Sequence, residues 1–430
     1  MNVSVLPMDS ERILEHQTVI VSEGKIKAIS SEAGATIPEG AERVDGTGKF
    51  LMPGLTDMHV HLVTDRRDMF LYVANGVTSV RNMAGFQVPS ILGRIVPILD
   101  VPDHLELRED IRNEKRFGPT IFTTGKQLDG KNPFKQPWPL SQIVLTPEDA
   151  EEAVRQQKKD GFDFVKIYHM LDPLVYERIV KTADEIGIKV VGHVPLKVGL
   201  KTVLSTKPSM QSIEHMTGFV DNFRGRLYFP DSELDSYAAL MKKSGIWICP
   251  TIIVWTTWIR SENLKSLADN ENVQYVSPTV RKFWMERIER GVNVVEGSGG
   301  SYPAEYMQVY LRVARALHKA GVPFLMGTDS VSPYVIPGFS VHQELKLLTE
   351  VGLTPYEALV AATRNPAAAL GQDANMGTVE IGKVADLLLL DANPFLNIAN
   401  AQKRAGVMVQ GRWFTQAQLQ ETLDRMKASF

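Results

Sequence analysis

Apolar and polar residues alternate at both ends of the chain, as they do in half-buried β-strands. At the amino end, residues 17–21 and 25–29 are β-rich runs on either side of a short polar turn, which predicts a hairpin. At the carboxyl end, residues 385–390 and 406–409 have the same pattern, and a closing helix is predicted near 417–427. We therefore expect residues 1–50 and 373–430 to form one composite β-sandwich domain.

The middle of the chain, residues 51–372, alternates short apolar runs with helical segments. Thr146, followed by Pro147 and two acids, predicts a helix start, and Gly161 predicts the end of that helix. This repetition of strand and helix predicts an α/β fold with a (β/α)8 TIM-like barrel. Residues 255–310 exceed the usual length of a connection, which predicts an insertion over the barrel mouth. The predicted strands are 53–61, 77–80, 120–123, 164–168, 189–193, 211–215, 246–254 and 322–329.

The composition of the chain indicates which kinds of molecule it is expected to bind. The 430 residues are 44% hydrophobic and 23% charged, with a net charge of −3, so neither nucleic acid nor an anionic membrane is expected to bind. A single cysteine, Cys249, precludes an internal disulfide, and no basic segment followed by an apolar run opens the chain. We expect a cytoplasmic protein, although a secreted form whose signal peptide has been removed would have the same composition.

Two histidines stand two residues apart on the first predicted strand of the middle region. Side chains on a strand repeat every second residue, so His59 and His61 project from the same face. Neutral imidazoles are good ligands for zinc, but a hydrogen-bonded histidine pair is the alternative. Active sites of barrels lie at the carboxyl ends of their strands, where we expect further ligands. Residues of ligand type at such ends are Lys166, His193, His215 and Asp329.

Other residues near the predicted mouth are candidates for substrate contacts. Tyr168 lies two residues beyond Lys166 and points the same way, although a packed tyrosine fits this position equally well. Arg81 and the aromatic and basic stretch 131–139 are further candidates. The candidate substrate contacts among aromatic and histidine residues are Tyr168, His169 and His342. The remaining histidines, expected at the surface, are His16, His104 and His318.

These residues, in this order, resemble the metal-dependent amidohydrolase superfamily over most of the chain. Residues 162–167 are similar to its branch of imidazolonepropionase-like and Xaa-Pro dipeptidase-like hydrolases. Each motif alone is a modest match, and their order makes the resemblance specific. The motifs are 53–61 (Pro-Gly-Leu-Thr-Asp-Met-His-Val-His), 213–215 (Ile-Glu-His), 327–330 (Gly-Thr-Asp-Ser), 362–367 (Ala-Thr-Arg-Asn-Pro-Ala) and 377–387.

The resemblance implies two divalent metal ions, expected to be zinc. His59, His61 and Asp329 would bind the more buried ion. The second ion would be bound by His193 and His215, and Lys166 would bridge both ions as a carbamate. A single-metal site, in which the lysine pairs with Asp329 or with a substrate carboxylate, is the alternative. Asp329 could also simply cap the next helix.

Two metal ions sharing a hydroxide lower the pKa of water and polarise a carbonyl group. Asp329 would take the proton of the nucleophile and deliver it to the leaving amine. We therefore expect hydrolysis of an amide or peptide-type C–N bond in an N-acyl amino acid or a dipeptide-like small molecule. The same site suits lactone, ester or phosphotriester hydrolysis or deamination, and a non-catalytic relative would have lost ligands. Oligomerisation is common for such barrels, so a homo-oligomer is expected.

Overall fold

The structure is a computed structural model that describes residues 1–62, 68–85, 103–131, 141–222, 230–259, 267–289 and 305–429. None of the helices in these ranges is long and apolar enough to cross a membrane. The strands are β1 (Val3–Val5), β2 (Leu14–Ser22), β3 (Lys25–Ser31), β4 (Phe50–Pro53), β5 (Leu55–Val60), β6 (Val77–Asn82), β7 (Thr120–Thr123), β8 (Gln127–Asp129), β9 (Ser141–Ile143), β10 (Phe164–Ile167), β11 (Lys189–Gly192), β12 (Ser212–Glu214), β13 (Trp247–Cys249), β14 (Leu387–Leu390), β15 (Arg404–Val409) and β16 (Arg412–Thr415).

The α-helices lie mostly between these strands. Thr146 caps α3 by a capping box with Asp149, and Gly161 ends this helix in the left-handed conformation, as the sequence predicts. The helices are α1 (Asp68–Ala74), α2 (His104–Arg112), α3 (Pro147–Asp160), α4 (Pro173–Glu185), α5 (Leu200–Ser205), α6 (Phe219–Asn222), α7 (Asp231–Ser244), α8 (Ile252–Ile259), α9 (Pro278–Glu289), α10 (Glu305–Lys319), α11 (Phe339–Glu350), α12 (Pro355–Ala362), α13 (Arg364–Ala369) and α14 (Gln416–Ala428).

Both ends of the chain contribute to one mixed seven-stranded sheet. Its order is β16-β15-β14-β4-β1-β2-β3, with β4 antiparallel to β14 and parallel to β1. The prediction that the two termini build a shared β-structure agrees with this sheet. Because β4 belongs to it, the amino-terminal part extends past the predicted boundary at residue 50 to Pro53.

The remaining strands pair in parallel in two sheets, which confirms the α/β class. One sheet has the order β13-β12-β11-β10-β8-β9 and the other β5-β6-β7. Isolated parallel bridges join β7 to β10, β13 to the segment 324–330, and that segment to β5, so the pairing that starts at β5 returns to it. The bridges are Thr124 to Phe164, Ile248 to Phe324 and Val60 to Ser330.

Two predicted strands differ from the structure. The apolar run 246–254 is a strand only as far as Cys249, and its second half begins α8, because Thr251 turns the chain with a φ of 48°. Apolar runs do not distinguish a buried strand from a buried helix. The run 322–329 forms only the bridge at Phe324 instead of a continuous strand, while β8 and β9 are short strands that the sequence did not predict.

The predicted insertion, 255–310, is described only in part. Its described residues include the 3-10 helix Glu271–Tyr275 and α9. Trp284 in α9 is buried, with its ring 5.3 Å from that of Tyr334, and Tyr275 stacks on Phe339 at 5.2 Å. These contacts hold the insertion against the segment that follows Asp329.

Candidate metal centre

The predicted ligands converge although they come from five separate segments. The rings of His59 and His61 lie 5.4 Å apart, and that of His59 lies 4.4 Å from His215. The ring of His193 is 4.9 Å from His215, so the four imidazoles are contiguous. Asp329 Oδ1 is 2.9 Å from His61 Nε2 and 3.4 Å from His59 Nε2. Ligand atoms of His59, His215 and Asp329 lie within 4.8 Å of one another, so residues from three strand ends meet closely enough to share bound metal.

His59 is oriented from behind by a buried ion pair. Its Nδ1 is 2.8 Å from Glu214 Oε2, and Arg81 Nη2 is 2.7 Å from Glu214 Oε1. All three side chains are fully buried. A carboxylate at Nδ1 keeps the proton on that nitrogen, so the lone pair belongs to Nε2, which faces the cluster. Burial, followed by repulsion from His215, holds the pKa of His59 well below its usual range, so the ring is neutral.

His215 and His193 are oriented by different partners. His215 Nδ1 is 2.6 Å from Thr251 Oγ1, and His193 Nδ1 is 2.6 Å from His169 Nε2. Burial lowers the pKa of His215 to about 4 and that of His193 well below its usual range. Both rings are therefore uncharged at neutral pH, which is the form that binds metals.

Lys166 lies among these imidazoles, as the sequence predicts. It is only 2% exposed, and its Nζ is 5.9 Å from the centre of the Tyr168 ring. The charge of Lys166 is one of the smaller causes of the lowered pKa of His59, His193 and His215, after burial and other neighbours. Lys166 is thus a buried basic residue on the strand next to the one that ends just before His193.

Asp329 occupies a turn that few non-glycine residues adopt. Its φ is 61°, and its backbone N–H donates to the His59 carbonyl at 2.7 Å. Its Oδ2 accepts from Ser332 Oγ at 3.1 Å. Burial alone would raise the pKa of Asp329, but the neighbouring His215 and His61 outweigh burial and hold the pKa well below its usual range. The side chain is therefore a carboxylate.

Asp57 fastens the Asp329 segment to β5. Its Oδ1 accepts from the backbone N–H of Thr328 at 3.0 Å, and its Oδ2 accepts from the Thr328 hydroxyl at 2.6 Å. Gly327 allows the close approach, because a Cβ there would lie 2.5 Å from Cys249 Sγ and 2.9 Å from His59 Cβ. The motif residues next to the ligands therefore hold two strand ends together.

Two of the three predicted substrate contacts lie beside the cluster, and the third lies away from it. The Tyr168 and His169 rings lie 4.3 Å and 4.5 Å from His193, beside the cluster. His342 lies elsewhere: its Nε2 is 3.1 Å from the Asn75 carbonyl, just after α1, and 3.0 Å from Arg404 Nη1 in the terminal sheet. This position, away from the cluster, does not support a substrate contact. The sequence places His342 on a helix but does not say which neighbouring element its side chain meets.

Two further expectations are wrong. His104 is buried instead of exposed, and its Nε2 is 2.8 Å from the Leu62 carbonyl. Arg81 is not on a mouth loop but inside β6, fully buried against Glu214. The predicted substrate stretch lies outside the described residues except for Lys131.

His342 gives a testable pH dependence of stability. Burial, aided by the charge of Arg404, lowers its pKa from 6.5 to about 3. As the pH falls below 6.5, His342 becomes protonated in the unfolded chain but stays neutral in the folded protein. The free energy of unfolding therefore decreases progressively towards pH 3. When the pH is lowered from above 6.5 to below it, we expect the free energy of unfolding to decrease less in His342→Gln than in the unsubstituted protein. Urea unfolding at both pH values measures this difference. An equal loss in both proteins would contradict this assignment.

Three residues that orient the ligands were not among the predicted site residues: Asp57, Glu214 and Thr251. The first two stand inside the motifs at 53–61 and 213–215, and an acid within a predicted barrel strand was a usable signal. Thr251 had no such signal, because its contact with His215 joins two separate strand ends.

Comparison with known proteins places the chain among hydrolases of one fold. A family model described as "Amidohydrolase family" matches residues 50–414. An imidazolonepropionase from Geobacillus sp. is 24% identical over 91% of this chain and 87% of its own length. One from Aeromonas salmonicida is 40% identical over 88% and 86%, respectively.

Among solved structures, bottromycin amidohydrolase has a TM-score of 0.77 and 26% identity, covering 100% of this chain and 89% of its own. A prolidase complexed with N-methylphosphonate-L-proline has a TM-score of 0.71 at 19% identity, covering 96% and 98%, and shares the fold.

Proposed function

The chain belongs to the amidohydrolase family, and on that premise we propose that it is a metal-dependent hydrolase that cleaves an amide or peptide-type C–N bond. The substrate would be a dipeptide-like small molecule or an N-acyl amino acid. The observation that carries the proposal is the cluster of four imidazoles with Asp329 at the ends of parallel strands. In this proposal the parallel strands that begin and end their pairing at β5 form the (β/α)8 barrel of the family. That the protein is a cytoplasmic homo-oligomer stays a prediction.

The residues present fit a pair of metal ions. Among the described residues, the buried Nε2 atoms of His59 and His193 have no hydrogen-bond partner. An unsatisfied buried nitrogen is costly, and a bound cation would remove that cost. We assign His59, His61 and Asp329 to the more buried ion. The second ion would be held by His193 and His215, and the nitrogen and carboxylate ligands favour zinc.

Lys166 completes the proposed site as a carbamate. The neutral Nζ amine would add to carbon dioxide, forming an N–C bond and releasing one proton to solvent. The product is an anion with two oxygens, suitable for bridging two cations. The burial of Lys166 supports this step.

The chain's own residues would bind the substrate and transfer the proton of the attacking water. Bound metal ions would supply an acidic water molecule and polarise the scissile carbonyl. Asp329, which starts as a carboxylate, would accept a proton at Oδ2 and pass it to the leaving nitrogen, since an amide nitrogen leaves poorly as an anion. Tyr168 and His169, beside His193, are the proposed substrate contacts.

Metal analysis and a substrate panel test this proposal. We expect two divalent ions per chain and hydrolysis of dipeptides or N-acyl amino acids. The panel includes an imidazolone, because two relatives are imidazolonepropionases, and its ring C–N bond is the second candidate target. One ion per chain would contradict the carbamate, and protein that binds no ion would contradict the mechanism. Preference for a lactone, an ester or a phosphotriester, or release of ammonia, would favour the alternatives.

A further inference from the structure

Glu344 is a fully buried acid that the proposed chemistry does not use. It lies in α11, and its Oε1 and Oε2 accept from the backbone N–H groups of Ile252 and Ile253 at 2.9 Å and 2.7 Å. These amides open α8, where N–H groups lack partners within the helix and favour an anion. No ion pair to Glu344 occurs among the described residues, so these amides are its main polar contacts.

The residue before these amides holds a proposed metal ligand. Thr251 is fully buried and has a φ of 48°, a conformation that costs energy for a β-branched residue. Its hydroxyl is 2.6 Å from His215 Nδ1, and His215 itself has a φ of 58°. The direction of the His215 ring therefore depends on a strained residue, which persists only if the surrounding structure fixes it.

We propose that Glu344 is a positioning residue for the metal centre: by fixing the amides of Ile252 and Ile253 it fixes Thr251, whose hydroxyl orients His215. This inference rests on the proposed function, because it treats His215 as a ligand of the second metal ion. It identifies a helix outside the cluster as a determinant of metal affinity.

The chemistry of the contact calls for a carboxyl group. Two N–H donors point at two different oxygens, and a glutamine would offer one oxygen and turn its own N–H groups towards the other donor. Burial raises the pKa of Glu344 to about 8, and the bonds from the two amides act in the opposite direction, since they favour the carboxylate. A glutamine side chain of nearly the same size would thus disturb the turn without opening a cavity.

Zinc affinity tests the inference without relying on turnover. The protein is titrated with zinc against a competing chelator dye, and both affinities are fitted. We expect Glu344→Gln to weaken binding of the second ion about 10- to 100-fold while the affinity for the first ion stays unchanged. Thr251→Val should have the same effect, whereas Thr251→Ser, which keeps the hydroxyl, should bind the second ion as tightly as the unsubstituted protein. The double variant Glu344→Gln/Thr251→Val should bind no more weakly than Thr251→Val alone, because both act through one hydrogen bond.

A matched control comes from the same helix. Ser340 Oγ accepts from the Ile336 amide at 2.8 Å, and among the described residues no hydrogen bond joins it to a proposed ligand, so Ser340→Ala should lower stability and leave both zinc affinities unchanged. If Glu344→Gln does not fold, Glu344→Asp, which keeps both oxygens on a shorter side chain, is titrated with the same expectation.

The outcomes separate the two proposals. Equal weakening at both sites, or an additive double variant, would overturn the role of Glu344. So would unchanged binding in a folded variant. Unsubstituted protein that binds no zinc would instead contradict the proposed function itself.

Discussion

Asp329→Asn is expected to lower kcat about 10²- to 10⁴-fold while the metal content stays unchanged. The asparagine keeps an oxygen within reach of His61, where Oδ1 now lies at 2.9 Å, so the metal can still be bound. It cannot accept a proton, however, and the leaving amine would depart without one. Steady-state kinetics and metal analysis of the same sample measure both effects.

Asp172→Asn is the matched control for this prediction. Asp172 is an exposed acid that pairs with Lys197 at 2.7 Å, and its replacement should leave kcat unchanged. An Asp329→Asn protein that keeps its turnover would show that another group carries the proton. One that loses its metal would show that Asp329 acts mainly as a ligand.

Arg81→Met is expected to destabilise the protein by about 3–5 kcal/mol. Arg81 donates to Glu214 at 2.7 Å, to the Met58 carbonyl at 2.7 Å and to Ser212 at 3.2 Å, and none of these side chains is exposed. Removing the guanidinium leaves the Glu214 carboxylate buried without its cation, and His59 loses a firmly held partner. Denaturant unfolding of the metal-free protein measures the effect.

A second replacement distinguishes charge burial from lost packing. In Arg81→Met/Glu214→Gln no charge is left uncompensated, so we expect stability to recover relative to Arg81→Met alone. Lys27→Met, which breaks the exposed pair with Glu23, should leave the unfolding midpoint nearly unchanged. A double variant less stable than either single variant would contradict the ion-pair explanation.

Local sequence patterns were enough to predict most of the repeating strands and helices and the residues that gather at the strand ends. The helix start at Thr146, the helix end at Gly161 and the strand β7 appear where the pattern placed them. His59 and His61 sit at the end of one strand, and the repeat of two residues puts them on one face. These features depend on neighbours in sequence.

The misplaced residues show where local patterns stop being informative. Arg81 was expected at the mouth and His342 beside the substrate, yet Arg81 lies inside the core and His342 against Arg404. Both are polar residues in elements of mixed apolar and polar composition, and the sequence does not say which polar partner each one meets. An element's period predicts a face, but only packing decides what that face touches.

By itself, the sequence determined the alternation of strand and helix, the shared β-structure of the two termini and the candidate ligands, because periodicity, caps and motifs act over a few residues. Only the tertiary structure decided how those ligands are held. Glu214 reaches His59 from 155 residues away, and Glu344 reaches the amide of Ile252 from 92. A buried polar group must find a partner wherever the fold brings one near, and that proximity arises only when distant strands and helices pack together.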